Sequence, residues 1–136
     1  MGLYQRAELL SALWRLGAED ELLPTSHGIL DKALNDTFDV LPKVLQDGLT
    51  FRVSGVGLRA YELPDILLAA QEALLTSEPN PTYLKTVVTL DEDSARQIVL
   101  GNGISTAQAK EIGGKIANAV SRIEKEMRGT AMPVTA

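Results

Sequence analysis

The sequence predicts a mainly α single domain, a bundle of about six helices carrying a small β-hairpin. Three observations support this class. Apolar residues recur at helical steps of three and four through most of the chain, as on helices that dock one face on a core. Two helix-start signatures stand sixteen residues apart, Thr89-Leu90-Asp91-Glu92 and Ser105-Thr106-Ala107-Gln108. Both fit the capping box, in which a hydroxyl accepts the N3 amide and an acid or amide side chain reaches back. One short stretch around residues 49–61 alternates instead with a period of two, interrupted by glycines, which is the pattern of a hairpin.

In the first helix, Leu3, Ala7, Leu10 and Trp14 form the stripe, widened by Leu9, Leu13 and Leu16. Gly17 is expected to end it as a C′ residue tolerant of positive φ. Ala18 to Thr25 contains Glu19, Asp20, Glu21 and Pro24 and reads as a solvated link. Ser26 can cap a short second helix with Ile29, Leu30, Ala33 and Leu34 inward. Asn35-Asp36-Thr37 is turn chemistry able to start a third helix, with Val40, Leu41, Val44 and Leu45 as its apolar face and Gly48 at its close.

Leu49, Phe51 and Val53 then alternate with Thr50, Arg52 and Ser54 before Gly55-Val56-Gly57, and Leu58, Ala60 and Tyr61 follow. Pro64 suits the first turn of a helix bearing Leu63, Leu67, Ala70 and Leu74. Between Tyr83 and Thr89 the β-branched run Thr86-Val87-Val88-Thr89 favours a short strand. Asp91 to Leu100 is the penultimate helix, packing Ala95, Ile98 and Val99. The last runs from about Thr106 to Arg128, with Ala109, Ile112, Ile116, Val120, Ile123 and Met127 on one face. Glu111 with Lys115, Arg122 with Glu126 and Glu124 with Arg128 are spaced to pair along it. The globular domain is expected over residues 1–129, with 130–136 a disordered tail.

Composition narrows the function. With no cysteine and one histidine, His27, the chain has no thiol nucleophile, disulfide or thiolate metal site, and a histidine-rich zinc site is excluded. A serine triad would have to rest on His27 alone, which reads more simply as a cap or surface residue. Gly55-Val56-Gly57 lacks the lysine of a phosphate loop and the third glycine of a dinucleotide fingerprint. Asp91, Glu92 and Asp93 lack the register of a calcium loop and suit a helix N-terminus. No cofactor or metal is expected. No run has the length of a membrane span or the character of a secretory signal, so a soluble, cytoplasmic protein without a membrane partner is the expectation.

Charge is uneven. Residues 1–50 carry 4 basic and 8 acidic side chains, residues 51–100 carry 4 and 7, and residues 101–136 carry 5 and 3. An acidic body repels nucleic acid, whereas the last helix is locally basic. Three helices followed by a hairpin have the order of a winged helix-turn-helix domain. The helix in recognition position, however, holds Asp39 and a single basic residue, Lys43.

The stretch Gly103-Ile104-Ser105-Thr106-Ala107-Gln108-Ala109-Lys110-Glu111-Ile112 resembles the helix-hairpin-helix motif. Gly103, Ile104, Ala109 and Ile112 match, and Ser105 stands where the motif has its second glycine. The resemblance implies that the amides of Gly103, Ile104 and Ser105 and the side chain of Lys110 hold a DNA phosphate, with the helix N-terminus adding partial positive charge. Lys115, Arg122 and Lys125 would extend that surface.

The expectation placed first is a non-enzymatic adaptor, regulatory or assembly protein that binds other proteins. It would self-associate as a homodimer through Ala109, Ile112, Ile116, Val120, Ile123 and Met127. Gly113, Gly114, Ala117 and Ala119 offer small sides for the close approach of another backbone, from a second copy or from the same core. DNA binding through Gly103 to Lys110 is the alternative.

Overall fold

A computed structural model of the protein describes residues 2–18, 22–25, 28–55, 57–77 and 85–131, with side chains as far as Met127. Its helices are α1 (Leu3–Ala18), α2 (Ile29–Asp36), α3 (Lys43–Asp47), α4 (Leu63–Glu72), α5 (Glu92–Gly101) and α6 (Thr106–Ala131). Its strands are β1 (Leu23–Pro24), β2 (Phe51–Ser54), β3 (Gly57–Ala60), β4 (Thr76–Ser77) and β5 (Lys85–Val88). The mainly helical class with a small hairpin is thus what the chain adopts.

The first helix lies at the centre. Ala7, Leu9, Leu10, Ala12, Leu13, Trp14 and Leu16 are all buried, far more than one stripe. A helix apolar on nearly every side must be surrounded, and α1 packs against α6, α5, α4 and α3. Its polar first turns hold neighbours in place. The Gln5 amide donates to the Asn102 side chain at 3.1 Å, and Arg6 Nε donates to the Val44 carbonyl at 3.3 Å.

Gly17 is helical and does not end α1 with a positive φ. It is a contact residue. A Cβ on Gly17 would lie 2.3 Å from the Gly113 carbonyl carbon, and one on Gly113 would lie 1.9 Å from the Leu13 carbonyl oxygen. The backbones of α1 and α6 therefore meet at a pair of glycines. The close approach invited by the small residues of the last helix takes place within the chain.

The expected third helix is divided. Thr37 closes α2, its hydroxyl donating to the Ala33 carbonyl at 2.8 Å, and is also the N-cap of the short turn that follows. A 3₁₀ turn follows over Phe38–Val40, and α3 begins only after Pro42. The cause is Pro42, whose ring disfavours helical backbone at the preceding residue; Leu41 sits at φ −70°, ψ 148°.

β2 and β3 form the expected hairpin, in the register Phe51↔Ala60, Arg52↔Arg59, Val53↔Leu58 and Ser54↔Gly57. Phe51 anchors it edge-to-face on Phe38, with ring centroids 5.8 Å apart. At its base Glu62 accepts from both the amide and the hydroxyl of Thr50, at 2.6 and 2.7 Å. Desolvation raises the Glu62 pKa, but these two bonds, with Arg6 nearby, outweigh it and hold the carboxyl below its ordinary value.

The short strand expected before Thr89 is β5, and it is central: β1 and β4 flank it, both antiparallel, in the order β1-β5-β4. α4 begins with Pro64 in its first turn and ends in a Schellman motif. There the Leu75 amide donates to the Ala70 carbonyl at 2.9 Å and the Leu74 amide to that of Gln71 at 3.0 Å. Leu74 fills the left-handed position usually given to glycine, at φ 62° and 81% exposed.

The two capping boxes part company. Ser105 and Gln108 form theirs in both directions, at 3.0 and 3.1 Å. The N-cap of α5 is Asp91, whose carboxylate accepts from the Ser94 amide at 2.7 Å. Those bonds, amide first, lower the Asp91 pKa. Thr89 instead donates its hydroxyl to the Leu74 carbonyl at 3.0 Å and so belongs to the β4–β5 pairing.

α6 is helical to Ala131, and residues 132–136 of the expected tail lie outside the described residues, as do Ser26, His27 and Tyr83. No helix among the described residues is long and apolar enough to cross a membrane.

Candidate functional site

The inward stripe of α6 is used inside the monomer. Ala109, Ile116, Val120 and Ile123 are buried in the common core, Ile112 packs against it half-buried, and Met127 is 40% exposed. These residues meet α1 and α2 of their own chain. A second copy could reach the four buried ones only by displacing that packing.

The glycine turn before α6 has little left to offer a phosphate. Gly103 takes φ 76° as the C′ residue of a second Schellman motif. Its amide donates to the Leu100 carbonyl at 3.0 Å, that of Ile104 to Val99 at 2.9 Å, and that of Ser105 to the Gln108 side chain at 3.0 Å. All three amides assigned by the helix-hairpin-helix resemblance are therefore engaged. Ser105, at the place of the motif's second glycine, makes the reciprocal cap that consumes one of them.

Lys110, Lys115 and Lys125 are exposed along α6. Arg122 is committed elsewhere, to Asp36 at 2.8 Å and Glu126 at 3.8 Å. The hydrogen bond it donates to Asp36 raises its pKa further. Glu124 reaches across to Lys85 at 3.2 Å, and Arg128 lies where side chains are not described. Glu111 and Lys115 form no ion pair among the described residues. This surface is a mixed-charge solvated face with three lysines spread along it.

Among the described residues a concave surface lies elsewhere, between α4 and the three-stranded sheet. Pro64, Leu67, Leu68 and Gln71 stand at i, i+3, i+4 and i+7, forming one side of α4. They make the wall of a cleft of 280 Å³. Its floor is Thr25, which follows β1, with Thr76 of β4 and Thr86 of β5. Alternation along β5 sends Lys85 and Val87 to one face and Thr86 and Val88 to the other. This side-to-side pattern is why a threonine in the central strand is only 2% exposed.

A smaller recess of 160 Å³ continues the cleft, sharing Thr25, Pro64 and Leu67 and adding Gly28, Asp31, Arg59 and Leu63. Arg59 crosses from the hairpin to lie over Gly28, the N-cap of α2. The backbone there favours glycine at Gly28, and a side chain would also displace the end of Arg59. The Gly28 φ is +70°, and a Cβ would stand 2.1 Å from Arg59 Nη1. Arg59 also donates to the Leu58 carbonyl at 3.1 Å, and Asp31 Oδ2 accepts from the Ala60 amide at 2.7 Å. Gly28, the N-cap of α2, has no side chain with which to cap the first-turn amides.

One group in this cleft is anomalous. The Thr86 hydroxyl is buried and has no hydrogen-bond partner among the described residues. A buried hydroxyl without a partner costs about 1–3 kcal/mol, and folded proteins carry few of them. Among the described residues the lining of the larger part of the cleft has no ionisable group, only hydroxyls, one amide and an apolar wall. Its chemistry is hydrogen bonding and apolar contact. Asp31 alone brings a titratable acid to the smaller recess, and no cluster of three or more metal-ligating side chains occurs among the described residues.

Sequence reasoning placed none of its candidates here. Leu67 reads from the pattern as a core residue and Thr86 as a strand former. The available signal was Thr86 itself, a polar residue at an inward position of a strand two residues before Val88. Compared with known proteins, the chain matches no family model, no curated protein and no solved structure.

Proposed function

We propose that this chain is a non-enzymatic protein-interaction module that binds an extended segment of a partner protein in the cleft between α4 and the β1-β5-β4 sheet. The observation that carries the proposal is the cleft itself, walled by Pro64, Leu67 and Leu68, of which Leu68 is 54% exposed, over a floor of threonines. A binding site lined by apolar groups with a few placed polar atoms has this character. Among its described lining residues the main cleft holds none of the titratable groups that proton transfer needs, which favours recognition over catalysis.

Association with a second copy, if it serves the same adaptor role, uses a surface other than the inward face of α6. Ala109, Ile116, Val120 and Ile123 would have to leave the core to reach it.

The test is selection of random decapeptides displayed on phage against the immobilised full chain, followed by measurement on the Leu68→Asp variant. Leu68 is 54% exposed on the cleft wall, so the substitution adds a charge there without entering the core. Peptides that bind the wild type and lose affinity for L68D support the proposal. Recovery of no peptide sensitive to L68D overturns it.

A further inference from the structure

Asn102-Gly103 is the one asparagine-glycine pair in the sequence. Such a pair is chemically labile, because glycine has no side chain to shield its amide nitrogen from the neighbouring carboxamide. The Gly103 nitrogen attacks Asn102 Cγ and forms an N–Cγ bond, while the bond from Cγ to Nδ2 breaks. The amide proton passes through solvent to the leaving nitrogen, which departs as ammonia. Water then opens the succinimide at either carbonyl and leaves aspartate or isoaspartate at position 102.

The fold opposes each requirement of this reaction. Ring closure needs the Gly103 nitrogen to swing toward Cβ, but at ψ 12° it nearly eclipses Asn102's own nitrogen. The amide proton that must leave is donated to the Leu100 carbonyl at 3.0 Å. The carboxamide is held at both ends: Nδ2 donates to the Ile98 carbonyl at 2.8 Å, and Oδ1 accepts from Gln5 Nε2 at 3.1 Å. All but the last of these restraints belong to the turn between α5 and α6. Gln5 reaches it from α1.

We propose that Asn102 is a deamidation site, kept unreactive by the contact of Gln5 with the α5–α6 turn and exposed to the reaction each time that contact opens. Gln5 and Asn102 are half-buried and Gly103 is exposed, so the opening is local and needs no unfolding of the core. The conversion does not reverse. An aspartate at 102 has no N–H to donate to Ile98, and isoaspartate adds a backbone carbon inside the Schellman motif that ends α5. Either product weakens the restraints that had held the site closed, and the modified fraction records the time the junction has spent open.

The experiment follows conversion of Asn102 by peptide mapping and mass spectrometry, in the full chain and in a synthetic peptide of residues 97–108, both incubated in mildly alkaline buffer. The peptide reports the unguarded rate. Because several hydrogen bonds must open together, the folded chain is expected to convert at least about 10-fold more slowly. Gln5→Ala keeps α1 helical and withdraws one neutral hydrogen bond, so Q5A should convert about 2- to 12-fold faster than wild type. Glu62→Gln lowers the stability of the fold from the base of the hairpin without touching the turn, and should convert at the wild-type rate. Equal rates in the folded chain and the peptide overturn the guarding of Asn102 by the fold. A Q5A rate equal to wild type overturns the role of Gln5. Acceleration by E62Q to the extent of Q5A shows that opening is global, and overturns the local junction.

Discussion

Neighbouring glycines in α6 should respond to the same substitution with opposite signs. A Cβ on Gly113 would stand 1.9 Å from the Leu13 carbonyl oxygen and 3.0 Å from Gly17 Cα. Carbon and carbonyl oxygen approach to about 3.3 Å at closest, so Gly113→Ala requires the two helices to part by roughly 1.4 Å at their crossing. Separations of that order forfeit much of the dispersion energy of the side chains around them, here Leu13 and Ile116, both fully buried. Overpacking costs typically about 1–3 kcal/mol, and more, here about 3–5, where backbone is struck this closely, against which alanine returns about 1 kcal/mol of helix propensity. The expected net loss for G113A is about 2–4 kcal/mol. At Gly114 the nearest atom to an added Cβ is the Gly17 carbonyl oxygen at 3.9 Å, an ordinary contact, and the propensity gain of about 1 kcal/mol should appear undiminished. For a chain of this length 1 kcal/mol moves Tm by about 3–4 °C. Thermal and urea unfolding of both variants, monitored by circular dichroism, should therefore show G113A melting roughly 7–14 °C below wild type and G114A slightly above it. A G113A variant within 0.5 kcal/mol of wild type, by the order-of-magnitude reasoning above, would refute the glycine crossing. Equal damage at the two positions would do the same.

Other predictions follow from particular groups. Thr86→Val should raise the stability of the free chain by about 1–2 kcal/mol, because it replaces a buried hydroxyl without a partner among the described residues by a methyl of the same shape; a destabilised T86V in urea unfolding would show that the hydroxyl is satisfied. Leu74→Gly should stabilise by about 0.5–1 kcal/mol, since Leu74 is left-handed and exposed and leaves little packing to lose; a lower Tm would contradict this. Glu62 has a folded pKa below its ordinary 4.5, so the unfolded chain binds more protons there. Its contribution is complete above that value and is lost as pH falls through the folded pKa. Glu62→Gln should be less stable at neutral pH and show a shallower loss of stability below pH 4.5, read from unfolding midpoints across an acid series. Fluorescence anisotropy with duplex and single-stranded DNA should show no binding that weakens steeply with salt, and Lys110→Glu should leave the titration unchanged; salt-steep binding reduced by K110E would restore the turn before α6 as a phosphate site.

The helices were legible wherever a local rule sufficed. The α1 and α6 stripes, the Ser105–Gln108 cap, Pro64 at the start of α4, the hairpin and the β-branched strand before Thr89 each rest on residues within a few positions of one another. The start of α5 shows the limit of such rules. Thr89 and Asp91 both satisfy a helix-start pattern, and what separates them is the Leu74 carbonyl, fifteen residues earlier, which engages the Thr89 hydroxyl. Pro42, by contrast, was a local signal, and it divided the third helix for the reason proline always restricts its predecessor.

By itself, then, the sequence determined the class of the fold, the order of its helices and the absence of thiol chemistry, because periodicity, capping and composition are properties of neighbouring residues. Tertiary structure decided what each face meets. An apolar stripe on α6 has the same spacing whether it packs on α1 or on another molecule, and a glycine has the same formula whether it relaxes a turn, as Gly103 does, or admits a backbone, as Gly17 and Gly113 do. Thr25, Thr76 and Thr86 lie on three separate strands or their flanks, and only the β1-β5-β4 pairing brings them under one side of α4. Their meeting is a property of long-range register and of helix placement, which no short window of residues encodes.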